Sequence, residues 1–231
     1  MASLASTSTS VSRRSLTFSL LLLLSTLSIQ AQGLLRIQQD SVPFFRGVAV
    51  SFDLVGATQM LISDYGQYEG ALRVNLRDRY FPIFEAGYGK ADHHGDQVTG
   101  ISYRTKAPYF RLGLDFNILK RKHTGNRLFV GFRYACTYYK IDLERKTFAD
   151  PVWKWPTGYG VQGQACNMHW LEVVFGLDAK VFGPLHLGWS ARYKRRLFGN
   201  NGVTERTWYV PGFGIYGDSR LGATFNVTID I

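Results

Sequence analysis

The chain has 231 residues, a formal net charge of +10, an aromatic content of 15% and only two cysteines. Two cysteines are too few for a disulfide-stabilised scaffold. After residue 31, no stretch reaches the about 18 uninterrupted apolar residues that a transmembrane helix needs. The many aromatic residues favour a pleated sheet.

Residues 1–31 have the features of a secretory signal peptide. Arg13 and Arg14 precede the apolar run LTFSLLLLLSTL, and cleavage is expected after Ala31. The arginine pair also fits a twin-arginine signal, but the leucine-rich run favours the general export route. Loss of the two arginines lowers the net charge from +10 to about +8 (10 − 2). For an exported protein, this charge favours lipid phosphates over nucleic acid as partners.

After a predicted periplasmic tether at 32–45, residues 46–231 contain eight segments in which apolar residues alternate with polar or small ones. In chain order these are GVAVSFDLVG, QYEGALRVNL, YFPIFEAGYG, YFRLGLDFNIL, LFVGFRYACTYY, MHWLEVVFGLDAKVF, LHLGWSARY and SRLGATFNVTIDI. Each segment can supply the about 9–11 residues of a tilted membrane strand.

The predicted connections alternate in length. Short ones lie near 78–79, 120–126 and 183–184, and longer ones at 90–106, 142–166 and 197–213. This alternation is typical of outer-membrane barrels, with both termini on the short-turn side. The first outer connection, near 63–66, is short and fits least well.

Three observations indicate that the polar face of the segments lies inside a barrel. About forty bulky apolar residues would not fit within eight strands. The polar face is rich in glycine, which suits a narrow interior. It also balances six acidic against six basic residues, as an enclosed space requires. We predict that these twelve form an ion network in the lumen: Asp53, Glu69, Arg73, Glu85, Arg111, Asp115, Arg133, Glu172, Asp178, Lys180, Arg192 and Arg220.

The predicted fold is therefore an all-β, eight-stranded antiparallel up-and-down transmembrane β-barrel of the outer-membrane type. A soluble carrier barrel, with its apolar face inside, is the alternative. GVAVSFDLVG, RYFPIFEAGYG, APYFRLGLDFN, DPVWKWP, HWLEVVFGL, LGWSARYKRRL and WYVPGFG resemble a family of small Bacteroidetes outer-membrane barrels that is described only as a domain of unknown function. The resemblance implies the same barrel and no established activity, so no functional residues can be transferred.

Two groups of residues at the predicted outer end are candidate binding sites. Lys194, Arg195 and Arg196 are candidates for contact with lipid phosphates, or form an ordinary charged rim. Trp153, Trp155, Trp208 and Tyr209 are candidate partner-docking aromatics, or simply pack the loops. The sequence leaves open whether Cys136 and Cys166 are bridged.

No convincing catalytic arrangement is evident, and neither a cofactor nor a metal is predicted. His169 has no outward serine nearby, and His186 and Ser190 face the lumen. We therefore expect a non-enzymatic barrel of a Gram-negative outer membrane, with a plugged lumen and a structural or accessory role at the cell surface. Its expected partners are outer-membrane lipid or glycolipid and another outer-membrane protein. A narrow solute pore and a lipid-modifying enzyme are the alternatives.

Overall fold

The computed structural model describes residues 42–95, 100–149, 156–204 and 206–231. The predicted signal peptide, the tether up to residue 41, and Trp153 and Trp155 lie outside these residues. Within the described ranges, no helix is both long and apolar enough to cross a bilayer.

Strands make up most of the described chain. The long ones are β1 Phe45–Asp53, β2 Tyr65–Leu76, β3 Tyr80–His93, β4 Ile101–Asn117, β5 Arg127–Ala149, β6 Pro156–Phe182, β7 Leu185–Asn200 and β10 Ser219–Asp230. A helix, α1 (Leu54–Ile62), follows β1, and a 3-10 turn spans Lys122–Thr124. Two short strands, β8 (Tyr209–Val210) and β9 (Gly214–Ile215), lie between β7 and β10.

The eight long strands form one antiparallel sheet that closes into a ring in the order β1-β10-β7-β6-β5-β4-β3-β2. Strand β1 closes the ring, because it pairs with β2 on one side and with β10 on the other. Its pairing with β10 runs from Ala49 opposite Asp230 to Asp53 opposite Asn226. The predicted all-β class and the eight antiparallel strands are confirmed.

Alternate residues of each strand point into and out of the ring, as the two-residue period of a strand requires. In β4, Arg111 is 1% exposed and points inward, whereas Leu112 is 66% exposed and points outward. Charged side chains are thus enclosed and large apolar side chains cover the outside. This is the predicted facing, and it is the reverse of a soluble carrier.

Strand β1 ends before its alternating sequence does. The pattern of residues 47–56 predicts a strand throughout, but the backbone becomes helical at Leu54. The reason is Asp53, whose carboxylate accepts hydrogen bonds from the backbone N–H groups of Val55 and Gly56, both at 3.1 Å. Asp53 is therefore a helix N-cap, and the prediction that it belongs to the lumen ion network needs correction.

Replacing Asp53 with alanine should lower the free energy of unfolding by about 0.5–2 kcal/mol, because the first turn of α1 loses its acceptor. The same carboxylate also accepts from Phe225 N at 3.2 Å, so the loss should lie near the upper end of that range. Urea unfolding followed by intrinsic fluorescence measures it. Asp53→Asn, which keeps one acceptor oxygen, should lose less; an equal loss in both variants would contradict the capping role.

The outer connections are shorter than predicted, because the strands continue through polar sequence. Strands β5 and β6 run to Ala149 and from Pro156, so they occupy most of the predicted loop at 142–166. Likewise β3 and β4 extend to His93 and from Ile101. The first connection is longer than predicted, since α1 lies within it.

Candidate functional site

Charged side chains from five strands meet inside the ring. Arg111 contacts Glu69, and it lies 3.1 Å from Glu85 and 2.9 Å from Glu172. Arg192 approaches Glu69 to 2.9 Å and Glu85 to 2.8 Å. None of these five residues is more than 4% exposed. We call them, with the residues described next, the interior network.

The interior network continues toward the end of the ring that carries the short connections. Arg133 lies 2.7 Å from Glu85 and 3.1 Å from Asp115. Arg73 then links Asp115, at 3.4 Å, to Asp178, at 2.5 Å. Each of these buried charges therefore has an opposite charge beside it, which offsets the cost of removing it from water.

A segment of the chain fills the other end of the interior. Residues 208–216, which include β8 and β9, fold back into the ring; we call them the inserted segment. The Tyr103 hydroxyl donates to the Tyr209 carbonyl at 2.6 Å, and Val210 and Phe213 are at most 2% exposed. The Phe213 ring meets that of Trp170 edge to face. The inserted segment is thus packed as core and not as a mobile loop.

The turn of the inserted segment is bonded directly to the interior network. The Gly212 carbonyl accepts from the Arg111 guanidinium at 2.8 Å and from Lys194 Nζ at 2.7 Å. Gly212 has a φ of +81°, and a Cβ there would collide with the Tyr109 ring. A glycine is needed for both reasons. The network and the inserted segment therefore form a single plug.

Residues 12–231 match the family model described as a domain of unknown function, DUF6048. The chain belongs to the DUF6048 family. No curated protein and no solved structure matches it. This match confirms that the chain belongs to a family of unknown function, as the resemblance implied.

Nine of the twelve residues predicted for the lumen ion network of this DUF6048 protein meet inside the ring, and three do not. Asp53 caps α1, as described above. Lys180 is exposed, because it lies close to the β6–β7 turn. Arg220 is half-buried and donates to the carbonyls of Ile215, at 2.7 Å, and Tyr216, at 2.8 Å. These two placements correct the prediction.

The three basic residues predicted as one lipid-phosphate rim have separate environments. Lys194 is 7% exposed and points inward. Arg195 is exposed on the outside. Arg196 forms an ion pair with Asp218 at 2.5 Å and also contacts the Tyr216 hydroxyl. The alternation of a strand separates neighbours in this way, so the three side chains of this DUF6048 protein do not share one face.

The predicted partner-docking aromatics that the structure describes pack within the protein. Tyr209 is 2% exposed in the inserted segment. The Trp208 ring lies against Tyr65 and Tyr103, with ring centroids 5.7 Å apart in each case, and against His93 at 5.0 Å. Loop packing, the predicted alternative, accounts for both residues.

The sequence also contains members of the plug that the prediction missed. Arg127 pairs with Asp230 at 2.5 Å, and Tyr109 donates to Glu69 at 2.7 Å. Lys194 lies two residues after Arg192 and so shares its face, which is the signal that could have identified it. Tyr109 lies two residues before Arg111, so the same rule could have identified it.

The residues considered for catalysis in this DUF6048 protein are used in other contacts. His169 bonds to the Tyr134 hydroxyl at 2.7 Å on the outer face and stacks on Phe198. His186 lies 3.1 Å from Asp230, whereas Ser190 bonds to Thr224. Cys136 and Cys166, whose pairing the sequence left open, are free thiols.

Glycines leave the space that the interior charges occupy, and Gly188 gives a test. A Cβ at Gly188 would overlap the Asp178 carboxylate and lie 2.7 Å from the Leu177 carbonyl. Gly188→Ala should therefore cost about 1–3 kcal/mol in unfolding free energy, measured by urea titration. Gly70→Ala is the matched control, because its nearest neighbour would be Ser51 O at 3.8 Å. Similar losses at both glycines would contradict the explanation by interior space, since Gly→Ala by itself lowers the entropy of the unfolded chain and stabilises.

Proposed function

We propose that this DUF6048 protein is an integral β-barrel of a Gram-negative outer membrane, with a plugged interior and a non-enzymatic structural or accessory role at the cell surface. The observation that carries the proposal is the apolar outer face of the ring. Around the ring, large apolar side chains on this face are 40–82% exposed; among them are Phe52, Leu72, Phe84, Phe110, Leu112, Phe132, Leu171, Phe175, Trp189, Leu221, Phe225 and Ile229.

An outer face of this kind favours a lipid environment over water. Soluble monomers rarely expose a continuous apolar patch of more than a few hundred Å² (about 300–600 Å²). Each square ångström of apolar surface left in water costs roughly 25 cal/mol. Burial of the face in hydrocarbon would remove that cost. A closed sheet is also one of only two backbone forms that satisfy their hydrogen bonds within a bilayer.

The ends of the ring support an orientation. The connections 77–79, 118–126 and 183–184, together with the described start of the ring and Ile231, lie at one end. Helix α1 and the hairpins β3–β4 and β5–β6 lie at the other. In outer-membrane barrels the short turns are periplasmic and the longer connections are at the cell surface. We assign the ends accordingly.

The plug supports a role other than transport. Eight strands enclose little more than their own side chains, and here those side chains are ion-paired and joined to the inserted segment. Function then rests with the outer end, where a rigid ring presents connections to lipid, glycolipid or another outer-membrane protein. Purified protein in a planar bilayer should show no conductance steps above leak; reproducible steps would favour the pore.

Tryptophan quenching tests the membrane assignment with two residues of opposite facing. Trp189 is 45% exposed on the outer face, whereas Trp170 is fully buried inside. Two single-tryptophan variants would be folded into vesicles whose acyl chains carry bromine at mid-chain. We expect strong quenching of Trp189 and little of Trp170. If Trp189 is as weakly quenched as Trp170 and the protein washes off the vesicles at alkaline pH, the proposal fails.

The accessory role has its own test. The proposal expects a defined outer-membrane protein to co-purify with the intact chain after mild detergent extraction and crosslinking. Recovery of the barrel alone would leave the membrane assignment standing and would remove the accessory role.

A further inference from the structure

The wall of the ring is incomplete at the end that carries α1. Because β1 ends at Asp53, the first half of β10, from Ser219 to Phe225, has register partners on β7 alone among the described residues. Helix α1 faces this part of β10, and a cleft of about 780 Å³ lies between the helix, β10 and the inserted segment. The cleft therefore separates two parts of the wall of the ring, helix α1 and strand β10.

The lining of the cleft combines apolar and cationic groups. Leu54, Val55, Leu221 and Phe225 line it and are 40%, 46%, 82% and 40% exposed, respectively. Two cationic side chains, Lys194 and Arg220, also line it, and the lining contains no carboxylate. Such a lining fits a ligand that has both an anionic group and a hydrocarbon part.

Lys194 is a buried cation whose hydrogen-bond acceptors are neutral. It is 93% buried, since 7% of it is exposed. Its ammonium donates to the carbonyls of Gly212 at 2.7 Å and Phe213 at 3.2 Å. Both of these acceptors are neutral, and the charge of Glu172 acts on the ammonium only through space. A buried ammonium that has only neutral acceptors is more costly than one that has an anion beside it.

We infer that this cleft binds one anionic, phosphate-bearing lipid of the surrounding leaflet. The phosphate lies near Lys194 and Arg220, and an acyl chain runs past Leu54, Val55 and Phe225 into the bilayer. The inference rests on the proposed membrane location. The lipid lies beside the half of β10 that has no second strand partner among the described residues.

The test uses the mature chain, folded and delipidated in a neutral detergent. Native mass spectrometry would follow titration with dimyristoyl phosphatidylglycerol, which is anionic, and with dimyristoyl phosphatidylcholine, which has no net charge. One charge-assisted bond contributes about 1.5–3 kcal/mol, so the anionic lipid should bind at least about tenfold more tightly. Inorganic phosphate at millimolar concentration should not displace it; displacement would show a free-anion site and overturn the lipid assignment.

Three variants locate the binding. Lys194→Gln should abolish the preference for the anionic lipid. Ala223→Trp, which fills the cleft from an exposed position without a change in charge, should weaken both lipids. Arg195→Gln is the matched control: it is exposed, lies on the same strand at the same end and is not part of the lining.

Equal affinity for the two lipids, or equal losses in Lys194→Gln and Arg195→Gln, would overturn the inference in favour of non-specific surface charge. If Lys194→Gln does not fold, the test rests on Ala223→Trp. Lipid binding by this variant that equals binding by the unaltered protein would also overturn the inference. Failure to enter vesicles would instead be a failure of the proposed function, and tryptophan quenching measures that separately.

Discussion

Replacing Arg111 with alanine should lower the free energy of unfolding by about 3–5 kcal/mol, the usual cost of removing one partner from a buried ionic cluster. Arg111 lies beside three glutamates, all of them at most 3% exposed, and it also donates to the Gly212 carbonyl. Its loss removes the nearest counter-ion of Glu172 and one of the two hydrogen bonds to the Gly212 carbonyl. The expected loss is therefore among the largest for any single substitution in this chain.

The measurement is the temperature at which the folded form disappears on a semi-native gel, with urea unfolding for the free energy. Arg195→Ala, an exposed arginine, should leave both unchanged. The double variant Arg111→Ala with Glu172→Gln should recover part of the loss, because one unpaired charge is removed. If the double variant is the less stable of the two, the charges do not act as described.

Leu112→Arg should prevent or strongly reduce insertion into lipid, at a cost of about 2–4 kcal/mol if the residue lies near the bilayer midplane. Leu112 follows Arg111 in the sequence but is 66% exposed on the outer face. A guanidinium at this position would have to enter hydrocarbon. In water the same substitution would be almost free of cost, so the variant separates a lipid from an aqueous environment.

Folding into vesicles, followed by flotation, measures the inserted fraction. Leu112→Phe is the control, because it keeps the side chain apolar, and it should insert like the unaltered protein. Normal insertion of Leu112→Arg would contradict the membrane assignment, and would do so without any assumption about the interior.

The strands and their facing could be predicted because both depend on a two-residue period. Leu112 and Arg111 differ in exposure for the reason visible in the sequence: they are neighbours on opposite faces. The charged residues near strand centres were accordingly placed in the interior. Near strand ends, the prediction that charged residues lie in the interior was wrong. Lys180 continues the alternation, but it is exposed because the β6–β7 turn is so close.

The remaining differences between the prediction and the structure have causes other than the two-residue period of a strand. Residues 54–56 continue the alternation of β1, so the helix that starts at Leu54 was hidden; the capping carboxylate of Asp53 was its only local signal. The inward course of residues 208–216 depends on space between distant strands. A Cβ at Gly89 on β3, for instance, would lie 2.9 Å from Pro211. No pattern within WYVPGFG reveals that space.

Strands β5 and β6 contain 23 and 27 residues. A tilted strand needs about 9–11 residues to cross the hydrocarbon of a bilayer. In the orientation proposed here, the surplus of both strands projects outward as a paired ribbon, taller than the neighbouring hairpins. A molecule that approaches the cell would meet this ribbon before the other connections that the structure describes, so an antibody raised against it should label intact cells.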